Sequence, residues 1–537
     1  TVQRVEVTIL GHQSVVPSTI RLGIDVGGTN TDAVAMDGPT LLARTKVPTT
    51  EDVTSGIFSA LEEILNQIPA GRRPGAVMIG TTHFTNALVE RKGLTPTAVL
   101  RLALPATTLL PPLIDWPAEL SDAIGGFTFM AQGGHEFDGR EISPLDRREI
   151  RNIAKQMRKD GVLAAAVCGV FSPVNPVHEQ EAAVILEEEI PGIQVTMSHQ
   201  NGRIGILERE NASTINASLA GLATHTIGGI RVALEKQALS VPLYLTQNDG
   251  TLMDADFAAK FPVFTIASGP TNSMRGAAYL SGVRDGIVVD IGGSSTDVGA
   301  LVNGFPREAS VAMELGGVRT NFRMPDVLSI ALGGGSVVRE SGESGFVSIG
   351  PDSIGYRLTE DSQIFGGCTL TATDVAAASG LTQIGNPSLI RSLDTNLVSS
   401  AIREIKTQVE KTVDRMKTTM EPLPVILVGG GSILVDDDLN GASRVLRPAH
   451  ADVANAIGAA MSQVGGQIEG VYTLDNMTRE QALDAAKAEA VERAVHAGAA
   501  PGSVEIVEID EIPLTYLPSN AILIRVKAAG ELINVGN

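Results

Sequence analysis

One eight-residue pattern occurs twice in this chain, and it limits the possible folds more than any other feature. Asp25-Val26-Gly27-Gly28-Thr29-Asn30-Thr31-Asp32 returns as Asp290-Ile291-Gly292-Gly293-Ser294-Ser295-Thr296-Asp297. Each copy is flanked by apolar runs, Leu22-Gly23-Ile24 and Ala33-Val34 in the first, Val288-Val289 and Val298 in the second. An apolar run that meets an acid, two glycines and a hydroxyl, then turns apolar again, reads as strand, tight turn and returning strand. Gly27 and Gly28, like Gly292 and Gly293, admit torsions and close approaches that a Cβ would block. The backbone N–H groups of such a turn converge on an anion, most often phosphate. Asp25 and Asp290, at the strand ends, are placed to hold a divalent cation beside it. A single copy would pass for an ordinary glycine-rich hairpin. Two matching copies point to two related units whose phosphate turns face each other across a cleft.

A chain of 537 residues is too long for one ordinary core, and 43% hydrophobic with 19% charged residues is a globular composition. A formal charge of −20 excludes a nucleic-acid surface, which needs a basic face. Cys168 and Cys368, in apolar or glycine-rich surroundings, read as buried small hydrophobes, and no CxxC or HExxH spacing offers a zinc site. No apolar run reaches transmembrane length and no signal peptide of the usual form is present. The expectation is therefore a cytoplasmic protein with neither membrane nor nucleic-acid partners.

Along the chain, residues 5–10 read as a strand within an N-terminal arm, 1–20. Strand, hairpin strand and a third strand (41–47) follow, then a helix capped by Thr49 or Thr50. Further strands are expected at 76–79, 97–104, 162–170 and 194–197. Ser143-Pro144 and Asn175-Pro176 read as helix starts, and 125–140 as a glycine-rich insertion. Three strands and then alternating helices and strands is the layout of a ribonuclease H-like unit, here 21–230. A matching unit, 231–470, has strands at 243–246, 263–266 and 425–428, a helix start at Ser268-Gly269-Pro270 and a long helix over 396–417. Residues 471–537 read as a small α+β region with a helix at 479–496 and strands at 504–507 and 521–526. The fold class is α/β.

Five segments in fixed order carry a resemblance. Residues 25–32 resemble the first phosphate loop of the actin-like ATPase superfamily, 290–297 the second, and Val428-Gly429-Gly430-Gly431-Ser432 its adenosine loop; the helices at 211–222 and 454–460 resemble its two connecting helices. Gly80-Thr81-Thr82-His83-Phe84-Thr85-Asn86-Ala87-Leu88-Val89-Glu90-Arg91-Lys92-Gly93, the second Asp-Ile-Gly-Gly turn, Leu332-Gly333-Gly334-Gly335-Ser336 and Ala454-Asn455-Ala456-Ile457-Gly458-Ala459-Ala460 together are similar to the hydantoinase A/oxoprolinase family. The resemblance implies two actin-like domains facing across a nucleotide cleft. It also implies ATP cleavage coupled to hydrolysis of a cyclic amide such as a hydantoin, a lactam or 5-oxoproline, or to carboxylation of a ketone. A second subunit of the same system, and a homo- or hetero-oligomer, follow as expectations.

The chemistry then distributes over the residues. Phosphorylating the carbonyl oxygen of a cyclic amide removes its resonance and turns that oxygen into a leaving group. This calls for two phosphate loops, Mg²⁺ and a carboxylate that positions the nucleophile. Asp25 and Asp290 are the metal-associated candidates. Asp32 and Asp297 close each motif, as catalytic carboxylates or as hydrogen-bond acceptors that set the hairpin. ATP phosphates are assigned to Gly27, Gly28, Thr29, Asn30, Gly292, Gly293, Ser294 and Ser295, and adenosine to Gly429, Gly430, Gly431 and Ser432. Thr82, His83, Asn86 and Glu208 are the substrate candidates; His83 stands where the family usually carries a small apolar residue. His135-Glu136-Phe137-Asp138 offers an imidazole and two carboxylates for a metal or substrate, against the plainer reading of a solvated loop. A non-catalytic nucleotide switch is the third function open to this sequence.

Overall fold

The first motif pairs on itself. Ile20–Val26 and Asn30–Asp37 run antiparallel with Asp25 opposite Asp32, and Gly27 N–H closes the turn on the Asn30 carbonyl at 3.0 Å. The second does the same: Gly286–Ile291 and Thr296–Val302 set Asp290 opposite Asp297, and Gly292 N–H bonds the Ser295 carbonyl at 2.9 Å. These details come from a computed structural model that describes residues 20–27, 30–49, 53–309, 313–322, 324–341, 346–475, 477–514 and 521–533. Gly28, Thr29, Thr50 and the strand expected at 5–10 lie outside the described residues.

Each motif strand sits between its hairpin partner and a parallel strand from later in the chain, with Asp25 level with Gly80 and Asp290 level with Val428. Around the first, nine strands form one sheet: Glu505–Pro513, Ala521–Gly530, Gln463–Thr473, Thr251–Asp254, Leu243–Thr246, Ala76–Thr81, Ile20–Val26, Asn30–Asp37 and Thr40–Pro48. Around the second, the order is Phe305–Pro306, Thr296–Val302, Gly286–Ile291, Leu423–Val428 and Ala442–Leu446, with Val327–Ile330 also on Thr296–Val302. The near-continuous apolar runs of both motif strands fit burial on two faces. Ile20, Leu22 and Ile24 are buried in the first core, and Ile287, Val289 and Ile291 in the second.

Residues 97–197 build a sheet of their own, all parallel, in the order Phe127–Gln132, Thr97–Leu104, Ala164–Gly169 and Gln194–Met197. The helices Arg147–Lys159 and Val177–Glu189 are its crossovers, and Leu100, Leu102, Ile150, Met157, Val167 and Leu186 fill its core.

Several expectations change here. The stretch 125–140 contributes a sheet strand as well as glycine turns. The strands near the end of the chain extend the nine-stranded sheet, because Gln463–Thr473 pairs with both Thr251–Asp254 and Ala521–Gly530. Residues 263–266 are no strand: Pro262, with a fixed φ and no N–H, opens a 3-10 turn, Pro262–Thr265. Asp146, not Ser143, caps Arg147–Lys159, accepting from the N–H groups of Arg148 (2.8 Å) and Glu149 (3.4 Å). Cys168 is buried as expected, but Cys368 is exposed.

Two helices meet behind the motif strands at backbone contact. A Cβ on Gly276 would lie 1.8 Å from the Ala454 carbonyl oxygen, and one on Gly458 would lie 1.9 Å from that of Asn272. A Cβ on Gly23, in the first motif strand, would lie 2.1 Å from the Ala456 carbonyl oxygen. The small residues of 454–460 therefore wedge Ala454–Met461 between the helix Ser268–Ser281 and the strand Ile20–Val26. The helix crossing Ala454–Met461 in this way is Ser268–Ser281; residues 211–222, expected as its counterpart, belong to a 31-residue helix, Ile206–Lys236.

Candidate active site

The crossing aims three polar side chains at the motif acids. Asn272 Nδ2 donates to Asp25 Oδ1 at 2.8 Å, and the side chain of the neighbouring Ser273 lies against Asp290 and stabilises its charge. Asn455 Nδ2 bridges Asp25 Oδ2 (3.0 Å) and Asp32 Oδ2 (2.9 Å). One helix turn thus holds the acids of both motifs, and a second helix ties the two acids of the first motif together. Sequence reading missed Asn272 and Ser273, and took from Ala454-Asn455-Ala456 only its part in the family resemblance.

The acids crowd each other out of water. Burial pushes the Asp25 carboxyl up to about 7; the Asn272 and Asn455 amides oppose this, and the charges of Asp32 and Asp290 add to it. Burial pushes Asp290 up to about 6, with Ser273 and Lys46 opposing and Asp297 and Asp32 adding. Burial also raises Asp297, against the hydrogen bond it accepts from Ser329. Lys46 Nζ reaches Asp32 Oδ1 at 2.9 Å. With one ammonium against four carboxylates, the cluster favours a cation, and hard oxygen donors suit Mg²⁺. Buried polar atoms beside it support the fit. Asn272 Oδ1 and Thr246 Oγ1 have no hydrogen-bond partner among the described residues, and a Cβ on Gly80 would press on Asn272, Asp25 and Thr246 together.

A stability test follows from these shifts. An unfolded Asp25 ionises near 3.8, whereas the folded one holds its proton to about 7. Between those values the folded chain binds the extra proton, so stability falls as pH rises. With nucleotide and divalent cations withheld, thermal melts are expected to drop between pH 5 and 7.5, and Asp25→Asn to flatten that slope; an unchanged slope in the variant would remove Asp25 as its source.

The glycine loop after Leu423–Val428 closes on the second turn. Gly429 has φ +82°, and a Cβ there would sit 2.3 Å from Asp290 Oδ1; one on Gly431 would sit 2.7 Å from the Gly292 carbonyl oxygen. Gly334 and Gly335 also donate to the Gly292 (3.0 Å) and Gly293 (2.7 Å) carbonyls, so the 333–336 segment backs this turn. Beyond Ser432 opens a cavity of about 540 Å³ lined by Ile433, Asp436, Arg447 and His450. Ser294 and Ser295 are exposed at the tip of the second turn, and Asn30 is half-buried at the end of the first. Thr49 Oγ1 donates to the Gly27 carbonyl at 2.8 Å, bracing the first turn.

The substrate candidates separate. Thr82, through its N–H and its hydroxyl, donates to the Val26 carbonyl (both 3.3 Å), and so stands directly behind the first turn. His83 starts the helix His83–Glu90, half-buried, its N–H on Thr81 Oγ1 at 3.1 Å; Asn86 is exposed one turn on. Glu208 lies in the first turn of Ile206–Lys236, 3.9 Å from Arg319. In the 135–138 segment His135 is buried, while Glu136 and Asp138 are exposed and Asp138 pairs with Arg140 at 2.7 Å. Among the described residues no helix is long and apolar enough to cross a membrane.

Comparison with known proteins places this geometry. Residues 21–190 match the model of the hydantoinase/oxoprolinase N-terminal region, and 209–420 match that of hydantoinase/oxoprolinase. The chain is 28% identical over 388 residues to the caprolactamase subunit alpha of Pseudomonas jessenii, covering 67% of this chain and 54% of that protein. It is 25% identical over 399 residues to the acetophenone carboxylase gamma subunit of Aromatoleum aromaticum, covering 67% and 53%. It thus spans about half the length of the curated relatives it matches. The crystal structure of the ATP-dependent caprolactamase from Pseudomonas jessenii shares the α/β fold at a TM-score of 0.74 and 20% identity, over 95% of this chain and 87% of that one. With the paired hairpins at Asp25-Val26-Gly27-Gly28 and Asp290-Ile291-Gly292-Gly293 and both models matched in order along its length, the chain belongs to the hydantoinase/oxoprolinase family.

Proposed function

We propose that this chain binds ATP between its two Gly-Gly turns and uses it to phosphorylate the carbonyl oxygen of a small cyclic amide, which water then opens. The observation that carries the reading is the pair of adjacent residues, Asn272 and Ser273, that hold one acid from each motif at a common point. In this reading the two motif sheets, the nine-stranded one that also takes in 243–254 and 463–530 and the one drawn from 286–446, are the cores of actin-like domains facing across the nucleotide, with adenosine in the cavity beside Ser432 and Arg447.

Mg²⁺, held by Asp25 and Asp290 directly or through water, would offset phosphate charge. The Gly27 and Gly292 N–H groups close their own turns on Asn30 and Ser295, so the phosphates are assigned to the remaining backbone N–H groups of the two turns. The amide oxygen attacks the γ-phosphorus, the bond to the ADP oxygen breaks, and loss of the ring N–H proton leaves an O-phosphoryl imidate. Water adds to its carbon, the C–N bond of the adduct opens as the nitrogen takes a proton, and a second water cleaves the resulting acyl phosphate to carboxylate and phosphate. Asp32, fixed by Asn455 and Lys46, and Asp297 are the carboxylates assigned to orient the reacting oxygen. The relatives' names as subunits of a caprolactamase and a carboxylase support a second subunit for this chain as well.

The test is ADP release with hydantoins, lactams and 5-oxoproline in turn, with and without bicarbonate. A cyclic amide is expected to stimulate turnover at least about 10-fold. Stimulation only by a ketone with bicarbonate would turn the reading to carboxylation, and a rate indifferent to every small molecule would turn it to a nucleotide switch. His83, behind the first turn, is assigned to the ring amide. His83→Ala is expected to raise KM for the cyclic amide about 10-fold, roughly one lost hydrogen bond, and to leave ATP affinity unchanged; equal KM in variant and parent would take His83 out of the site.

A further inference from the structure

The C-terminal rim of the four-stranded parallel sheet carries a second cluster, independent of the motif acids. The strand Phe127–Gln132 ends in Gly133-Gly134-His135, and the chain doubles back so that His135 and Glu141 pair in an isolated antiparallel bridge. The neighbouring crossover helix, Val177–Glu189, brings His178 to the same place. The two imidazoles lie 4.3 Å apart between ring centres, and His178 Nε2 is 3.2 Å from Glu141 Oε1. One ligand atom from each of His135, Glu141 and His178 lies within 4.8 Å of the others. Both histidines are buried, at 2% and 3% exposure, while Glu141 is open to solvent.

We propose that His135, His178 and Glu141 form a binding site for a divalent transition metal of the Zn²⁺ class, with its remaining coordination positions open on the Glu141 side. Two imidazoles and one carboxylate are the donor set of three-ligand sites that keep a position for water or a substrate oxygen. A buried imidazole normally has its ring nitrogens satisfied. Among the described residues the His135 ring makes no hydrogen bond; it lies against the His178 ring and near the Glu141 carboxylate. A metal at the centre of the triangle supplies that partner.

His178 shows how the site is tuned. Its Nδ1 accepts the Gly134 N–H at 3.0 Å, which leaves the ring proton on Nε2, facing Glu141. Coordination through Nε2 moves that proton to Nδ1, which then needs an acceptor. The peptide between Gly133 (φ +141°) and Gly134 (φ +88°) can turn its carbonyl there in place of the N–H, because neither residue has a Cβ to obstruct the rotation. The result is the outer carbonyl partner that metal-bound histidines usually have. The ligands are His135 and Glu141 rather than the adjacent acids Glu136 and Asp138, which stay in solvent.

The experiment is a Co²⁺ titration of tag-free full-length protein without nucleotide, read by visible absorbance, with Zn²⁺ as competitor. One equivalent per chain is expected, displaced by Zn²⁺. Glu141→Gln, at an exposed position, should weaken Co²⁺ binding at least about 100-fold without lowering the melting temperature, and His178→Ala should abolish it. Glu136→Gln should bind as the parent does, and excess Mg²⁺, which occupies the motif acids, should leave the Co²⁺ band unchanged. Stoichiometric binding that survives both Glu141→Gln and His178→Ala, a band lost to excess Mg²⁺, or no Co²⁺ bound at all would each overturn the site.

Discussion

Asp290→Asn is expected to cut ATP turnover at least about 100-fold, or about 2.7 kcal/mol of barrier, with no loss of folded stability. The substitution keeps shape and the ability to accept from Ser273, and removes only charge. That charge is costly to the fold. Burial and the facing acids Asp297 and Asp32 hold the Asp290 carboxyl up at about 6, so a neutral amide relieves repulsion at neutral pH. The melting temperature without nucleotide should therefore stay level or rise while turnover collapses. Activity near that of the parent would strip Asp290 of its metal role; lost activity with a lower melting temperature would show that its role is to hold the turn.

Gly458→Ala is expected to be among the most damaging single methyl additions at the described glycines. The added Cβ would meet the Asn272 carbonyl oxygen at 1.9 Å and the Gly276 nitrogen at 2.7 Å, both backbone atoms of a neighbouring helix. Neither can rotate aside, so the helices must part, and overpacking of this kind costs about 1–3 kcal/mol or more. The separation would also draw Asn272 and Asn455 away from Asp25, so ATP affinity should fall with stability. Gly228 is the control. It lies inside Ile206–Lys236 with nothing within 4 Å of its added Cβ, and Gly228→Ala should be neutral or stabilising by about 0.5–1 kcal/mol. Similar melting temperatures for the two variants would mean that the crossing yields far more easily than its geometry says.

How much of this could be read in advance depended on whether the determining contact was local. The paired hairpins were legible because acid, glycines and hydroxyl sit within eight residues of each other. Strand Gln194–Met197 and helix Arg479–His496 emerged with the expected bounds, since apolar patterning and capping decided them. Residues 263–266 failed because a four-residue apolar run has no period of its own, and Pro262 settled the matter. Asn272, Ser273 and Asn455 were opaque for another reason. Asp25, which the two asparagines share, is 247 and 430 residues from Asn272 and Asn455, and nothing in an asparagine, or in a serine such as Ser273, signals what it will face. At His135 the acids next in sequence drew the eye, whereas a chain reversal through Gly139 selected Glu141 instead.

The nine-stranded sheet carries a consequence for how the chain is made. Thr251–Asp254 meets its neighbour Gln463–Thr473 only after roughly 200 more residues have been synthesised, which at about 5–20 residues per second leaves that edge bare for roughly 10–40 s. Its own antiparallel partner, Leu243–Thr246, covers just one side. An unpaired edge is a template for the wrong strand, so during translation the nascent first half should lean on chaperones until the late strands arrive. Ribosome-arrested chains ending before and after residue 473 would differ sharply in protease resistance at Leu243–Asp254, although that segment's own sequence is complete in both.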